Sequence, residues 1–313
     1  MRDDESIPPT PRRPALFAAA TLTVMCLGAA GCGSGGDSAQ ARPGPAAGTG
    51  TPSVSASSSA PASPSPSRSG PAPSKQPSSP SASAPKAPSG PLSGKTVVID
   101  PGHNPRNHLH TAEIARQVDI GTTHKECDTT GTSTNSGYAE AEFTLDVSHR
   151  LRTLLRAQGA KVVLTHDNDR PFGPCVDERA RIGNKAGADA VVSVHADGSA
   201  AGNRGFHVIL PASVHDGDAD TSKIVGPSRD LGTRIAGLFV RATGSAPSNY
   251  IGGNTGLDTR KDLGGLNLST VPKVFIECGN MRDPKDAALL TSAGWRQKAA
   301  QGIADGISSY LNG

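Results

Sequence analysis

Three side chains able to bind a metal or move a proton stand where apolar runs stop. His103 follows "VVIDPG", His195 lies near the end of "ADAVVSVHAD", and Glu277 closes "VFIE". Each run reads as a buried strand, so two imidazoles and a carboxylate arrive at the ends of three different strands. One histidine after a strand is usually a solvated or hydrogen-bonded turn residue; two at equivalent strand ends favour a shared role. A catalytic zinc needs three protein ligands and an open position. The remaining ligand is offered by Glu140 or Glu142, at the start of the amphipathic run "AEFTLDVSHRLRTLLRAQG". As first-turn acids, both also favour the helix dipole. Glu277 carries two readings on physics alone, a structural ion pair and a proton acceptor, because a charge ending an apolar run needs a partner or a task. Asp100, just before "PGH", reads as a carboxylate that fixes the tautomer of a ligand histidine or as a turn-former before Pro101-Gly102.

The elements that must position these groups alternate. "KTVVID" is a strand, "AEFTLDVSHRLRTLLRAQG" a helix with Phe143, Val147, Leu151 and Leu154 on one face and Gly159 at its end, and "AKVVLT" a second strand. "VDERARIGNKAG" is a helix, "ADAVVSVHAD" and "GFHVIL" are strands, and "SRDLGTRIAGLFVRAT" is a helix. "PKVFIECGN" is a fifth strand and "PKDAALLTSAGWRQKAAQGIADGISSYL" two closing helices. Near-continuous apolar strands between amphipathic helices predict an α/β fold, a central, mostly parallel sheet flanked by helices. Sites in such sheets gather at the carboxyl ends of the strands.

Much of the 313-residue chain cannot be core, since hydrophobic residues make up 35% and aromatic ones 3%. Arg12 and Arg13 precede "ALFAAATLTVMCLGAA", an export signal that ends at "AAGC" with Cys32. "LGAAGC" is similar to a bacterial lipobox, with Ala29 where such boxes usually have Leu, and makes Cys32 the expected point of lipidation. Residues 1–32 are thus read as the leader. Residues 33–93, almost entirely Ser, Pro, Ala and Gly, are read as a disordered tether. Residues 94–313 are read as one catalytic domain. That domain holds 24 basic and 24 acidic residues, so nothing favours nucleic acid as a partner. Of the cysteines beyond Cys32, Cys127 and Cys175 lie in loop-like sequence and are the expected disulfide of an exported protein. Cys278, in an apolar strand, is the expected buried thiol.

Taken together, "VVIDPGHN", "YAEAEFTLDVSHRLRTLLRAQGAKVVLTHDND", "SVHADG" and "VPKVFIECGN" resemble the zinc-dependent N-acetylmuramoyl-L-alanine amidases of the type 3 family, in that family's order and spacing from about Ser93 onward. The resemblance is closest to the compact actinobacterial branch, which shares "CDTTGT"-like and "ECGN"-like sequence and a loop disulfide, and so supports Cys127 with Cys175. It implies one catalytic zinc ion on His103, Glu140 and His195, with Glu277 as general base, and Glu140 rather than Glu142 from its spacing to Leu145. The implied reaction is hydrolysis of the amide between N-acetylmuramic acid and L-alanine in peptidoglycan. The implied setting is a monomer outside the cytoplasmic membrane, lipid-anchored at Cys32 or secreted into the cell wall. Departures from the family pattern fall at Asn104, Asn280 and Asn267, the last where an Arg is common. Asn104, Arg106 and Asn280 are candidate substrate contacts, while His108, His110 and His124 read as surface histidines. Two rival readings are a zinc peptidase acting within the stem peptide and a non-catalytic wall-binding protein.

Overall fold

The computed structural model describes residues 89–313. The leader, Cys32 and the Pro/Ser/Ala-rich segment up to residue 88 lie outside the described residues. The folded chain begins a few residues before Gly94: Leu92 is fully buried and its N–H donates to the Gln158 carbonyl at 2.9 Å. Flanked by Pro91 and Ser93, this single apolar residue carries no periodicity by which the sequence could set it apart from the Pro/Ser/Ala-rich segment before it.

In chain order the elements are β1 (Thr96–Pro101), a 3-10 turn (Asn107–Leu109), α1 (Thr111–Ile114), a hairpin of β2 (Gln117–Asp119) and β3 (His124–Glu126), α2 (Glu140–Ala157), β4 (Lys161–Leu164), α3 (Val176–Lys185), β5 (Ala190–Asp197) and β6 (His207–Pro211). A small hairpin of β7 (His215–Asp216) and β8 (Ala219–Asp220) follows, then α4 (Val225–Thr243), a 3-10 turn (Gly252–Asn254), β9 (Leu257–Arg260), α5 (Gly264–Asn267), β10 (Lys273–Asn280), α6 (Pro284–Leu290) and α7 (Ala293–Leu311). Six strands form the central sheet in the order β4-β1-β5-β10-β6-β9. Every neighbouring pair is parallel except β10 with β6.

Strand alternation gives the sheet two unlike faces. Val97, Ile99, Val192, Val194, Val274 and Ile276 form one core with Phe143, Val147, Leu151 and Leu155 of α2, Leu231, Ile235 and Phe239 of α4, and Ile303 and Ile307 of α7. Leu154 sits half-buried at the margin of the α2 stripe. Facing the other way, Val98 and Val191 pack on the smaller α3 side with Ala188 and Ile182. Further along this second face the strands turn polar, with Asp100, Ser193 and Lys273 buried. The less thickly covered face, at the carboxyl ends of β1, β5 and β10, is where the candidate residues lie.

The sequence reading missed β9, whose "LDTR" has one apolar residue and no alternation because it is an edge strand. It also missed the β2–β3 hairpin, where one residue in three is buried in β2 and none in β3.

Candidate metal centre

The chain leaves β1 through Pro101, and the Gly102 N–H continues the ladder to the Val194 carbonyl at 3.0 Å. A Cβ on Gly102 would lie 2.3 Å from the His195 ring, so only glycine lets the two strand ends approach this closely. His103 then takes a left-handed conformation, φ 60°, which swings its ring back across the sheet edge. The two imidazoles meet edge to face with centroids 5.1 Å apart, and the His195 ring stacks on Phe275.

Glu140, the first residue of α2, lies against both rings. Its Oε2 is 3.2 Å from His103 Nε2 and its Oε1 is 3.0 Å from His195 Nδ1. Backbone N–H groups of Thr132 and Ala196 donate to the same two oxygens. Glu142, one residue past the buried Ala141, is exposed. The potential ligand atoms of His103, Glu140 and His195 all lie within 4.8 Å of one another, the one such group among the described residues. A tetrahedral ion with bonds of about 2.0–2.1 Å holds its ligand atoms about 3.4 Å apart. The His103–Glu140 and His195–Glu140 separations, 3.2 and 3.0 Å, are close to that, and a His₂–carboxylate donor set suits zinc, so the residues fit the ion.

The tautomer of His103 is fixed from behind. Its Nδ1 faces the Thr129 carbonyl at 3.1 Å and Asp128 Oδ1 at 3.4 Å, leaving Nε2 to face Glu140. Burial by itself would lower the His103 pKa, but Glu140 and Asp128 outweigh it and hold the metal-free ring well above its ordinary value. Burial likewise pushes Glu140 up, and the two histidines pull it well below the usual carboxylate range.

Asp100 does not fill the place expected of it. Its oxygens are taken by Thr165, Ser193, Lys273 and Arg179, and it touches neither imidazole. An extended strand directs its side chain to the face it shares with Ser193, below the turn that carries His103. The carboxylate beside His103 is Asp128, and the two acids are joined by Arg179. That guanidinium donates to Asp100 at 2.8 Å, to Asp128 at 2.9 Å, and to the carbonyls of Pro101, His103 and Pro174. Burial would raise both acids, yet Lys273 and Arg179 for Asp100, and Arg179 and His103 for Asp128, hold them far below the ordinary range. Sequence reasoning passed over Arg179 and Asp128. The available signal was that Arg179 falls on the same helix face as Ala180 and Gly183, the buried face of α3.

Cys127 and Cys175 form a disulfide. Cys127 immediately precedes Asp128 and Thr129, while Cys175 caps the helix carrying Arg179, so the bridge ties together both supports of His103. Cys278 is the buried free thiol expected.

Glu277 pairs in register with His195 on the neighbouring strand. Its Oε2 is buried and has no hydrogen-bond partner, and among the described residues no ion pair accounts for it. Burial first, then the nearby charges of Glu140 and Asp197, raise its proton affinity well above that of an ordinary glutamate. Asp197 is itself held by the Tyr250 hydroxyl at 2.6 Å.

The asparagines expected at the substrate are structural. Asn104 is buried and donates to the Gly173 carbonyl. Asn280 is buried and holds the 199–203 loop through the carbonyls of Ser199, Ala200 and Asn203. Asn267 anchors the β2–β3 connection through Ile120 and Thr122. Arg106 remains exposed and donates to the Asn168 carbonyl. His108, His110 and His124 stay outside the metal set. One cavity of about 380 Å³ is lined by His103 and His195, and another of about 440 Å³ lies beyond Gly131.

The chain is similar to known proteins over this same region. It is 44% identical over 221 residues to the N-acetylmuramoyl-L-alanine amidase Rv3717 of Mycobacterium tuberculosis, covering 70% of this chain and 88% of that one. The crystal structure of the N-acetylmuramyl-L-alanine amidase Ami1 from Mycobacterium smegmatis superimposes with a TM-score of 0.64 at 40% identity, covering 70% of this chain and 98% of that one. The apo form of Ami1 from Mycobacterium abscessus gives 0.65, also at 40% identity, over 70% of this chain and all of that one. A family model described as N-acetylmuramoyl-L-alanine amidase matches residues 97–309, and on that span, which contains both strand-end histidines and both glutamates, the chain belongs to the N-acetylmuramoyl-L-alanine amidase family.

Proposed function

We propose that the protein hydrolyses the amide bond between N-acetylmuramic acid and L-alanine in peptidoglycan, with one zinc ion on His103, Glu140 and His195 and with Glu277 as general base. The observation that carries this is a buried carboxylate oxygen of Glu277 without a partner, on the strand next to His195. Zinc in such a site lowers the pKa of a water to about 7 and polarises a carbonyl. Glu277, whose proton affinity is raised by burial, takes the proton of the attacking water and passes it to the leaving nitrogen. A C–O bond forms, the C–N bond breaks, and the products are a lactyl carboxylate and the free amine of L-alanine. Asp128 and Thr129 keep the proton of His103 on Nδ1, and Arg179 keeps the turn below it in place.

The export leader, with Cys32 as its point of lipid attachment, is consistent with a wall substrate; fatty-acid labelling lost in Cys32→Ser tests the anchor. For the chemistry, zinc-loaded protein and its Glu277→Gln variant are compared on a muramoyl-peptide. The variant should retain zinc while turnover falls by about 10²–10⁴-fold. Full turnover by Glu277→Gln would remove Glu277 from the mechanism.

A further inference from the structure

Two cavities near the candidate metal centre differ in chemistry, one lined by His103 and His195 and the other beyond Gly131, where an added Cβ would lie against the His103 ring. The one beyond Gly131 presents Thr130, Thr132, Ser133 and His108. The other is lined by Val176, Leu263, Phe275 and the bare backbone of Gly264 and Gly265, with Lys125, Glu126 and Asp262 on its wall. It is enclosed by the sheet, the β2–β3 hairpin, the start of α3 and the β9–α5 loop. A Cβ on Gly264 would lie 2.5 Å from Ile120 and one on Gly265 3.0 Å from Phe275, so its floor is tightly closed.

A glycan strand runs on in both directions and carries hydroxyls that need partners, which suits the polar cavity. The stem peptide starts at the scissile amide with a methyl-bearing alanine and suits the walled apolar one. A volume of about 380 Å³ corresponds to a sphere about 9 Å across, and two extended residues span at most about 7 Å. Alanine and the next residue therefore fit within the cavity, and the side groups of the second cover the remaining distance of about 2 Å to the far wall. That next residue carries a carboxylate or its amide.

The charges on the wall single out one side chain. Arg179 is taken by Asp100 and Asp128. Asp262 receives two bonds from Arg260, at 2.8 and 2.7 Å. Lys125, 3.4 Å from the same Asp262 and about half exposed, is the loosely held cation. Resting on the amidase reading above, we propose that this cavity takes the first two residues of the stem peptide and that Lys125 pairs with the carboxylate of the second, making it a determinant of specificity for acidic over amidated stems.

The test measures binding and cleavage separately. Calorimetry on the zinc-loaded protein compares L-alanyl-D-glutamine, which keeps one carboxylate on its second residue, with its α-amide, which keeps none, and turnover compares the muramoyl forms of each. Wild type should favour the acidic member by about threefold to tenfold in Kd and in kcat/KM. Lys125→Met should bring both ratios to about one with an unchanged Tm. Val176→Trp, which narrows the cavity, should weaken both dipeptides alike. A charge preference in binding without any cleavage would leave this proposal standing and overturn the amidase reading. Cleavage with no charge preference, a preference that survives Lys125→Met, or dipeptide binding untouched by Val176→Trp would overturn this proposal alone.

Discussion

Replacing Arg179 with methionine removes the hinge of the buried polar network while keeping most of its volume. Arg179 bonds two buried carboxylates and three carbonyls. Asp100 keeps Lys273, Thr165 and Ser193, but Asp128 loses the guanidinium that pulls hardest on it and is left with His103 and the Thr129 N–H; removing one partner of a buried ion pair costs about 3–5 kcal/mol. For a domain of this size that lowers Tm by about 6–20 °C. The pH dependence follows from the directions of the shifts. In the wild type both acids titrate below their ordinary 3.8, so their stabilisation is present above that value and lost as pH falls. In the variant the largest downward pull on Asp128 is gone while burial remains, so its carboxyl rises from its wild-type position and protonating it relieves the less compensated charge. The difference in stability between the two proteins should therefore be largest near pH 7 and shrink towards pH 4. Urea denaturation at several pH values measures it, and zinc affinity should fall about 10–100-fold in parallel as His103 loses its support. A stability loss under about 1 kcal/mol, or a gap that does not narrow with acid, would refute the clamp.

Three further outcomes are expected. Burial and then Arg179 depress His166 from 6.5 to about 4; in metal-free protein its stabilising share, about 3 kcal/mol, should be present above pH 6.5 and lost between 6.5 and 4, and His166→Gln should remove that slope in denaturation curves. Metal-free His103, with its pKa raised, acts in the opposite sense only above pH 6.5, and Glu277, raised above its ordinary 4.5, opposes the slope within the window equally in both proteins, so the difference between wild type and His166→Gln isolates His166. The Cys127–Cys175 bridge spans 48 residues, for which loop-closure entropy gives about 4 kcal/mol; a Cys127→Ser/Cys175→Ser protein losing nothing by urea titration would show that the denatured chain is already constrained there. At Gly131, φ 73°, an added Cβ would lie 2.7 Å from the His103 ring and 2.8 Å from Glu140 Oε2, so Gly131→Ala should weaken zinc about tenfold or more by chelator competition, and unchanged affinity would contradict the close approach.

The strand-end histidines and Glu277 were legible because a polar residue closing a long apolar run is rare and each marks the end of a buried strand. The long helices were legible from their stripes, as in Phe143, Val147 and Leu151. What escaped lies where side chains meet through tertiary packing alone. Arg179 looks like one more helix charge until α3 is laid on the sheet, and Asp128 like one more loop acid until the hairpin folds over His103. Asp100 was misjudged because proximity in sequence to His103 does not survive strand alternation. The antiparallel pairing of β6 beside β10 was beyond reach, since an apolar run buried on both faces carries no sign of its direction.

The central claim is which bond is cut and by what. Purified peptidoglycan incubated with zinc-loaded protein, with Glu277→Ala and with metal-free protein is resolved by mass spectrometry. Stem peptides with a free L-alanine amino terminus, released by the zinc-loaded wild type alone, are the expected result. Cleavage inside the stem peptide, or equal release by the Glu277→Ala protein, would contradict the account.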